Sequence, residues 1–344
     1  MHVINVRNVC CALPTTVDLI MAAGTREDSR SGPVLVLPTP LMTETARPWE
    51  RVLRSAIRDA NPFFHMVESI WMLAGREDAA TLNHYVKDFG TRYAEPQLGT
   101  LLPENDGRIH DAYGRRWRMA FNFDQLDVVV QRFIENENDR QCVITMWDPS
   151  MDVHNDLCGP WLTRPCNTHI YLRLHDAHLD MTVCCRSNDM IWGGHGANAV
   201  HFSVLHEYLA ARADAIMGKM YQLSNNAHLY VAELDRIAAR RKKQGSGGLE
   251  HDHYSSGEVE AAPMFTEPAA IDEDIMVAMH WHNNTESELP EFANNWFSTT
   301  FVPAVLAHRI YRSRDMDMAI KIAGTIKSSD WRFACVEWLQ RRVK

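Results

Sequence analysis

Arg164-Pro165-Cys166-Asn167-Thr168-His169 decides how this chain reads, together with Arg186-Ser187-Asn188-Asp189 and the later run Gly193-Gly194-His195-Gly196-Ala197-Asn198-Ala199-Val200-His201-Phe202. The first piece sets a cysteine just after a proline, at the mouth of an alternating run over 168–174 that predicts a strand. A second alternating run over 179–185 predicts its neighbour and delivers a cation, a hydroxyl and a carboxylate within four residues. The third piece reads as a flexible glycine loop leading into an apolar segment of helical period, with a helix expected over 198–217. A nucleophile, an anion binder and an amide able to read a polar ring edge are parts suited to chemistry on a nucleotide.

Working outward, 142–147 predicts a further strand and 124–134 an amphipathic helix. Asn61-Pro62 opens a helix over 63–75, with Glu68 inside its apolar face; a buried carboxylate needs a partner or a task, because an unpaired one costs several kcal/mol. The stretch 43–51 has capping residues and a proline before a helix-like run through Ile57. Apolar patches over 3–13 and 34–37 read as early strands joined by an irregular connection over 24–32. A short helix is expected over 82–89, a cleft-lining segment over 112–118, and a mobile Gly/Ser/Glu-rich loop over 245–262. The segments 289–309 and 316–343 have helical period. No linker separates the cysteine, arginine and asparagine elements, so residues 1–284 are expected to form one catalytic domain, with 285–344 a helical extension packed upon it.

The chain has 344 residues, with 46% apolar and 23% charged side chains, values of a globular protein with a sizeable core. A formal charge of −9 speaks against a general nucleic-acid binder. No apolar run reaches the ~20 residues of a membrane span, and the N-terminal residues do not read as a secretory signal. The cytoplasm is the expected location, that of a host if the gene is a phage's. None of the eight cysteines forms a Cys-x-x-Cys pair. Cys142, Cys184 and Cys335 lie in apolar runs and read as core residues. His251, His253, His280 and His282 lack the context of a metal site, and no metal is expected.

Taken in order, Glu68-Ser69-Ile70-Trp71, Ala112-Tyr113-Gly114-Arg115-Arg116-Trp117, Asp139-Arg140-Gln141, Pro165-Cys166, Arg186-Ser187-Asn188-Asp189, Asn198 and Ala227-His228-Leu229-Tyr230 resemble the thymidylate synthase family of pyrimidine C5 one-carbon transferases. The resemblance implies an α+β fold, a mixed twisted β-sheet covered by helices, with two sheets packed back to back in a homodimer. It implies a nucleotide substrate and 5,10-methylenetetrahydrofolate as cofactor. Cys166, Glu68, Asn198, Asp189 and Tyr113 then take catalytic positions. Cys166 is the thiolate that adds at C6 of the ring, and Arg186 beside it lowers its pKa and binds phosphate. Glu68 organises water and protons around the ring carbonyl and the folate. Ser187 adds a phosphate or sugar contact, His228 and Tyr230 hold the deoxyribose, and Arg140 reaches the partner's phosphate across the dimer.

Four departures qualify the resemblance. The usual Arg-Thr-Gly phosphate loop is not found, and Arg47, with Arg51 the alternative, is expected to replace it. Gln141 stands where a second cross-dimer arginine is usual. The folate-facing tryptophan is missing, leaving Phe89 or Tyr93 in its place. Helices replace the C-terminal strand and closing tail. A less closed site admits water, so hydroxymethyl rather than methyl is the expected product. Asn198 points to uracil and hence dUMP. Cytosine stays open because the preceding loop is one residue longer and His195 can enter the pocket. The competing readings are a thymidylate synthase and a non-catalytic nucleotide- or RNA-binding relative.

Overall fold

The computed structural model describes residues 1–87, 89, 107–153, 164–244, 251–284 and 288–343. Its frame is a six-stranded mixed sheet in the order β1-β4-β9-β7-β6-β5. The strands are β1 (His2–Val6), β4 (Leu41–Thr45), β5 (Val143–Thr145), β6 (Asn167–His175), β7 (His178–Cys185) and β9 (Ile216–Ser224). A smaller sheet, in the order β2-β3-β10-β8, joins β2 (Thr25–Ser29), β3 (Gly32–Val36), β8 (Asn188–Asp189) and β10 (Ala227–Tyr230).

Alternation along β7 sends Leu179, Met181 and Val183 into the core. Covering them are α2 (Pro62–Leu73) and α6 (Asn198–Arg212), which pack on each other. Between these two lie α3 (Ala79–Asn83), α4 (Tyr113–Arg118) and α5 (Gln125–Glu135). Asn61 Oδ1 caps α2 by accepting from Phe64 N at 3.2 Å, and Pro62 occupies the first turn. The opposite face of the large sheet has no cover among the described residues. Met42, Tyr221, Leu223, Thr182 and Cys184 are half-buried on it, and Tyr171 is exposed.

Several local expectations give way to tertiary context. The patch over 3–13 splits into β1 and α1 (Val9–Ala23), because the Asn8 side chain accepts from Cys10 N at 2.9 Å and starts a helix. The connection over 24–32 is the β2–β3 hairpin. Residues 43–57 are not a helix. Leu41–Thr45 is claimed by β1 and β9, and Glu50, Arg51 and Arg58 are buried beyond it. The helix expected over 198–217 stops at Arg212, Asp214 turns with φ +52°, and 216–224 pairs in parallel with β7. Residues 251–262 are anchored rather than loose: Tyr254 is buried, donating to Asp330 Oδ2 at 3.0 Å and accepting from Val52 N at 3.0 Å.

After α7 (Val231–Gln244) come α8 (Ile271–Asn283), α9 (Val302–Arg312), α10 (Met316–Ala323) and α11 (Ser329–Gln340). Trp338 meets Phe63 of α2 edge-on at 5.5 Å, and the buried residues of these helices belong to the same core as α2 and α6. The chain end is tied down as well, since Arg341 and Arg342 both reach Asp59 at 3.2 Å.

Gly114 lets α4 lie against the end of α2; a Cβ there would stand 2.1 Å from the Met72 carbonyl oxygen. Gly114→Ala is therefore expected to push α4 outward and destabilise the fold by about 1–3 kcal/mol. Thermal unfolding checks this, and an unchanged midpoint would refute the close approach.

Candidate active site

Cys166 precedes β6 at the end of the sheet where Cys185, Ser224 and Leu41 line up across β7, β9 and β4. The next strand returns Arg186 to it. Arg186 N donates to Cys166 O at 2.8 Å, and Nη2 stands 3.9 Å from Cys166 Sγ. Its guanidinium is held by the carbonyls of Pro165 and Arg164, at 2.9 and 3.0 Å. Burial is the larger influence on the thiol and raises its pKa; Arg186 pulls it down, Asp111 pushes it up and Arg30 pulls it down. Arg186 thus lowers the thiol's pKa as expected, while desolvation of the thiolate outweighs that one cation and leaves the net shift upward.

Tyr113 faces the same corner. Its hydroxyl accepts from Asn167 Nδ2 at 2.9 Å, and burial holds its pKa well above the ordinary value, so it stays a neutral donor. Its ring lies 6.0 Å from that of Phe202 on α6. Beside Phe202, His201 Nε2 is 2.9 Å from Glu68 Oε2 of α2. Asn198 opens α6 one turn earlier and is buried. The glycine run before it is a turn of π-helix, not a loose loop (Met190–Ala197), with Gly194, His195 and Gly196 buried. His195 points away from any ring-reading role: its Nε2 bonds Thr16 Oγ1 at 2.8 Å, and burial lowers its pKa to about 3.

The small sheet brings in the remaining groups. His228 of β10 pairs beside Asp189 of β8, and its Nδ1 takes Asn226 Oδ1 at 2.9 Å. The His228 and Tyr230 rings meet edge-on at 5.4 Å. Ser187 is half-buried between Arg186 and β8. Burial raises the Asp189 carboxyl to about 6 despite the nearby Arg58. Arg58 is itself buried, donates to Ile191 O at 2.9 Å, and lies 4.1 Å above the half-exposed ring of Trp192.

Two expected residues stand elsewhere. Arg47 follows β4 at its far end: Leu41 aligns with the Cys166 edge, and four further strand positions carry the chain ~13 Å away. Arg47 pairs there with Glu50 at 3.4 Å. The alternative, Arg51, is buried against Glu207. Sequence reasoning missed Arg30 in the β2–β3 turn, whose charge is felt at Cys166. The signal was present as Arg30-Ser31-Gly32, the arginine-hydroxyl-glycine pattern thought absent.

Arg140 is exposed before β5, where Val143 pairs with Tyr171, so it lies ~26 Å along β6 from Cys166. Phe89 packs against Phe64 at 5.5 Å, while Tyr93 lies outside the described residues. His251, His253 and Glu258 bring ligand atoms within 4.8 Å of one another. The Arg54 guanidinium takes the cation's place among them, 3.1 Å from Glu258 Oε2 and 3.2 Å from His253 Nδ1.

A half-buried cysteine with an arginine at its sulfur, on this sheet, defines a class. The thymidylate synthase family model matches residues 55–251, and the chain belongs to that family. Over its full length it is similar to a deoxyuridylate hydroxymethyltransferase of Pseudomonas phage M6, 38% identical over 351 aligned residues, covering 99% of this chain and 95% of the relative. A deoxyuridylate hydroxymethyltransferase of Bacillus phage SP01 is 34% identical over 56% of this chain and 49% of its own. A thymidylate synthase of Pseudomonas fluorescens is 24% identical over 49% and 62%. No helix among the described residues is long and apolar enough to cross a membrane.

The opposed influences on Cys166 have a measurable consequence. Alkylation by iodoacetamide, followed on the Cys166 peptide by mass spectrometry, should titrate above the ordinary cysteine range. Arg186→Ala removes a cation that favours the thiolate, so the midpoint should move higher still and the rate at neutral pH should fall. A midpoint unmoved by the substitution would exclude the electrostatic role.

Proposed function

We propose that the chain hydroxymethylates C5 of deoxyuridine 5′-monophosphate. The observation that carries the reading is the Cys166 thiol with Arg186 Nη2 at 3.9 Å, in a chain similar end to end to a deoxyuridylate hydroxymethyltransferase. Cys166 adds to C6 and makes C5 nucleophilic. Arg186 and Arg30 supply positive charge at the thiol and at a bound phosphate. The Asn198 amide donates to O4 and accepts from N3–H of uracil. His228 and Tyr230 hold the sugar, Ser187 adds a contact beside it, and Tyr113 and Glu68 handle protons around the ring.

The donor set fits 5,10-methylenetetrahydrofolate: a carboxyl raised to about 6 at Asp189 and the half-exposed Trp192 ring suit a polar, flat heterocycle. When bound, that cofactor supplies a one-carbon unit at the oxidation level of formaldehyde. Arg341 and Arg342, just after α11, reach Asp59. Addition of water to the exocyclic methylene gives hydroxymethyl, where a returned hydride would give methyl. With dUMP and methylenetetrahydrofolate, mass spectrometry should find 5-hydroxymethyl-dUMP with tetrahydrofolate unoxidised, and Cys166→Ser should abolish it. Thymidylate with dihydrofolate would make the enzyme a synthase.

The half-buried open sheet face and the distance of Arg140 from its own Cys166 support a homodimer in which Arg140 serves the partner's phosphate. Arg140→Ala and Cys166→Ala should each be nearly inactive. Mixed and allowed to exchange subunits, they should recover about a quarter of wild-type activity, because one site of the hybrid keeps both groups. No recovery despite exchange would refute the shared site.

A further inference from the structure

His65, Glu68 and His201 form a buried polar cluster between α2 and α6, of which the roles above use only Glu68. All three are at most 6% exposed. Glu68 Oε2 and His201 Nε2 approach to 2.9 Å, yet neither makes an aligned hydrogen bond, and His201 Nδ1 has none either among the described residues. The His65 ring stands edge-on to His201, centroids 6.3 Å apart, and is kept neutral by burial, helped by the charges of His201 and Arg58. Buried polar atoms left unpaired cost about 1–3 kcal/mol each, so their convergence calls for a ligand with both donors and acceptors. Three neighbours connect them to the Cys166 corner. Asn198 is one helical turn before His201, Phe202 next to it faces Tyr113, and the Tyr113 hydroxyl bonds the residue following Cys166.

We propose that His201, paired with Glu68, binds and activates the water that becomes the hydroxyl of the product. This rests on the hydroxymethylation reading. The step starts with Cys166 bonded to C6 and an exocyclic methylene at C5. The water oxygen forms a bond to the methylene carbon while its proton passes to the His201–Glu68 pair. The methylene π pair moves through C5 onto the C4 oxygen. Its return restores the C5–C6 double bond and expels Cys166 as thiolate. Nothing is oxidised or reduced, and no co-reactant beyond water is consumed.

By microscopic reversibility the same residues work without folate. Wild-type enzyme given 5-hydroxymethyl-dUMP in heavy-oxygen water should exchange the hydroxymethyl oxygen, seen as a mass shift. Given dUMP tritiated at C5, it should release tritium, which needs thiolate addition at C6 and proton exchange at C5 but no addition of water to a methylene carbon. His201→Phe should slow oxygen exchange by at least about a hundredfold, the scale of a lost general acid–base group, while tritium release stays within about threefold. His201→Gln, which keeps polar atoms, should recover part of the oxygen exchange. Oxygen exchange at the wild-type rate in His201→Phe would overturn the proposal. So would equal loss of both exchanges in both variants, the pattern of a structural role. Tritium release without oxygen exchange in the wild type would instead sink the hydroxymethylation reading itself, and the water proposal with it.

Discussion

The thiol of Cys166 is caught between desolvation and a single close guanidinium, and the surrounding architecture answers that tension. Burial makes a thiolate costly, while exposure would leave the ring adduct open to bulk water. The sheet resolves this by register. The β6–β7 pairing sets Arg186 against the cysteine's own carbonyl, and two backbone oxygens fix the guanidinium so that it loses little freedom when it acts. Arg30, in the turn of the small sheet, adds a weaker favourable charge felt at the same thiol. A bound phosphate would gather both arginines and bring its own negative charge, so nucleotide and thiolate compete for the same cations. The modest reach of Arg186, 3.9 Å rather than a short contact, suits that shared duty.

The second organising feature is the use of buried charge away from the chemistry. Arg116 and Asp152 pair at 3.0 Å with both side chains almost fully enclosed, and Arg51 is paired with Glu207. Such pairs contribute little net stability once desolvation is counted, but breaking one leaves an uncompensated charge and is costly. They sit where long loops must be held still. Arg164 Nε donates to Asp152 O at 2.5 Å. Asp59, in a left-handed turn, gathers Arg341 and Arg342, next to the Arg58 that lies over Trp192. The C-terminal layer is thereby tied to the turn that carries the arginine stacked on Trp192. That connection gives the helices a part in shaping the site without their covering it.

The sequence by itself determined the chemistry and much of the sheet. Cys166, Arg186, Asn198 and His228 follow one another in an order and spacing that few arrangements share, and the alternation in β6 and β7 is strong because one face of each is buried. It misjudged the places where tertiary pairing overrides local preference. Residues 43–57 have a helix's caps, yet Leu41–Thr45 gains more by joining two strands. The helical reading to 217 missed the left-handed turn at Asp214 that frees β9 to run parallel with β7. The arginine for the phosphate was sought near Arg47, and only strand register showed that Arg47 and Cys166 occupy opposite ends of the sheet. Glu68 stood out as a buried carboxylate needing a partner, but its meeting with His201 was invisible, because the two come from helices more than a hundred residues apart. Short-range pattern records which residues share a face. Which faces meet is decided by long-range burial and pairing, and the tertiary structure alone settles that.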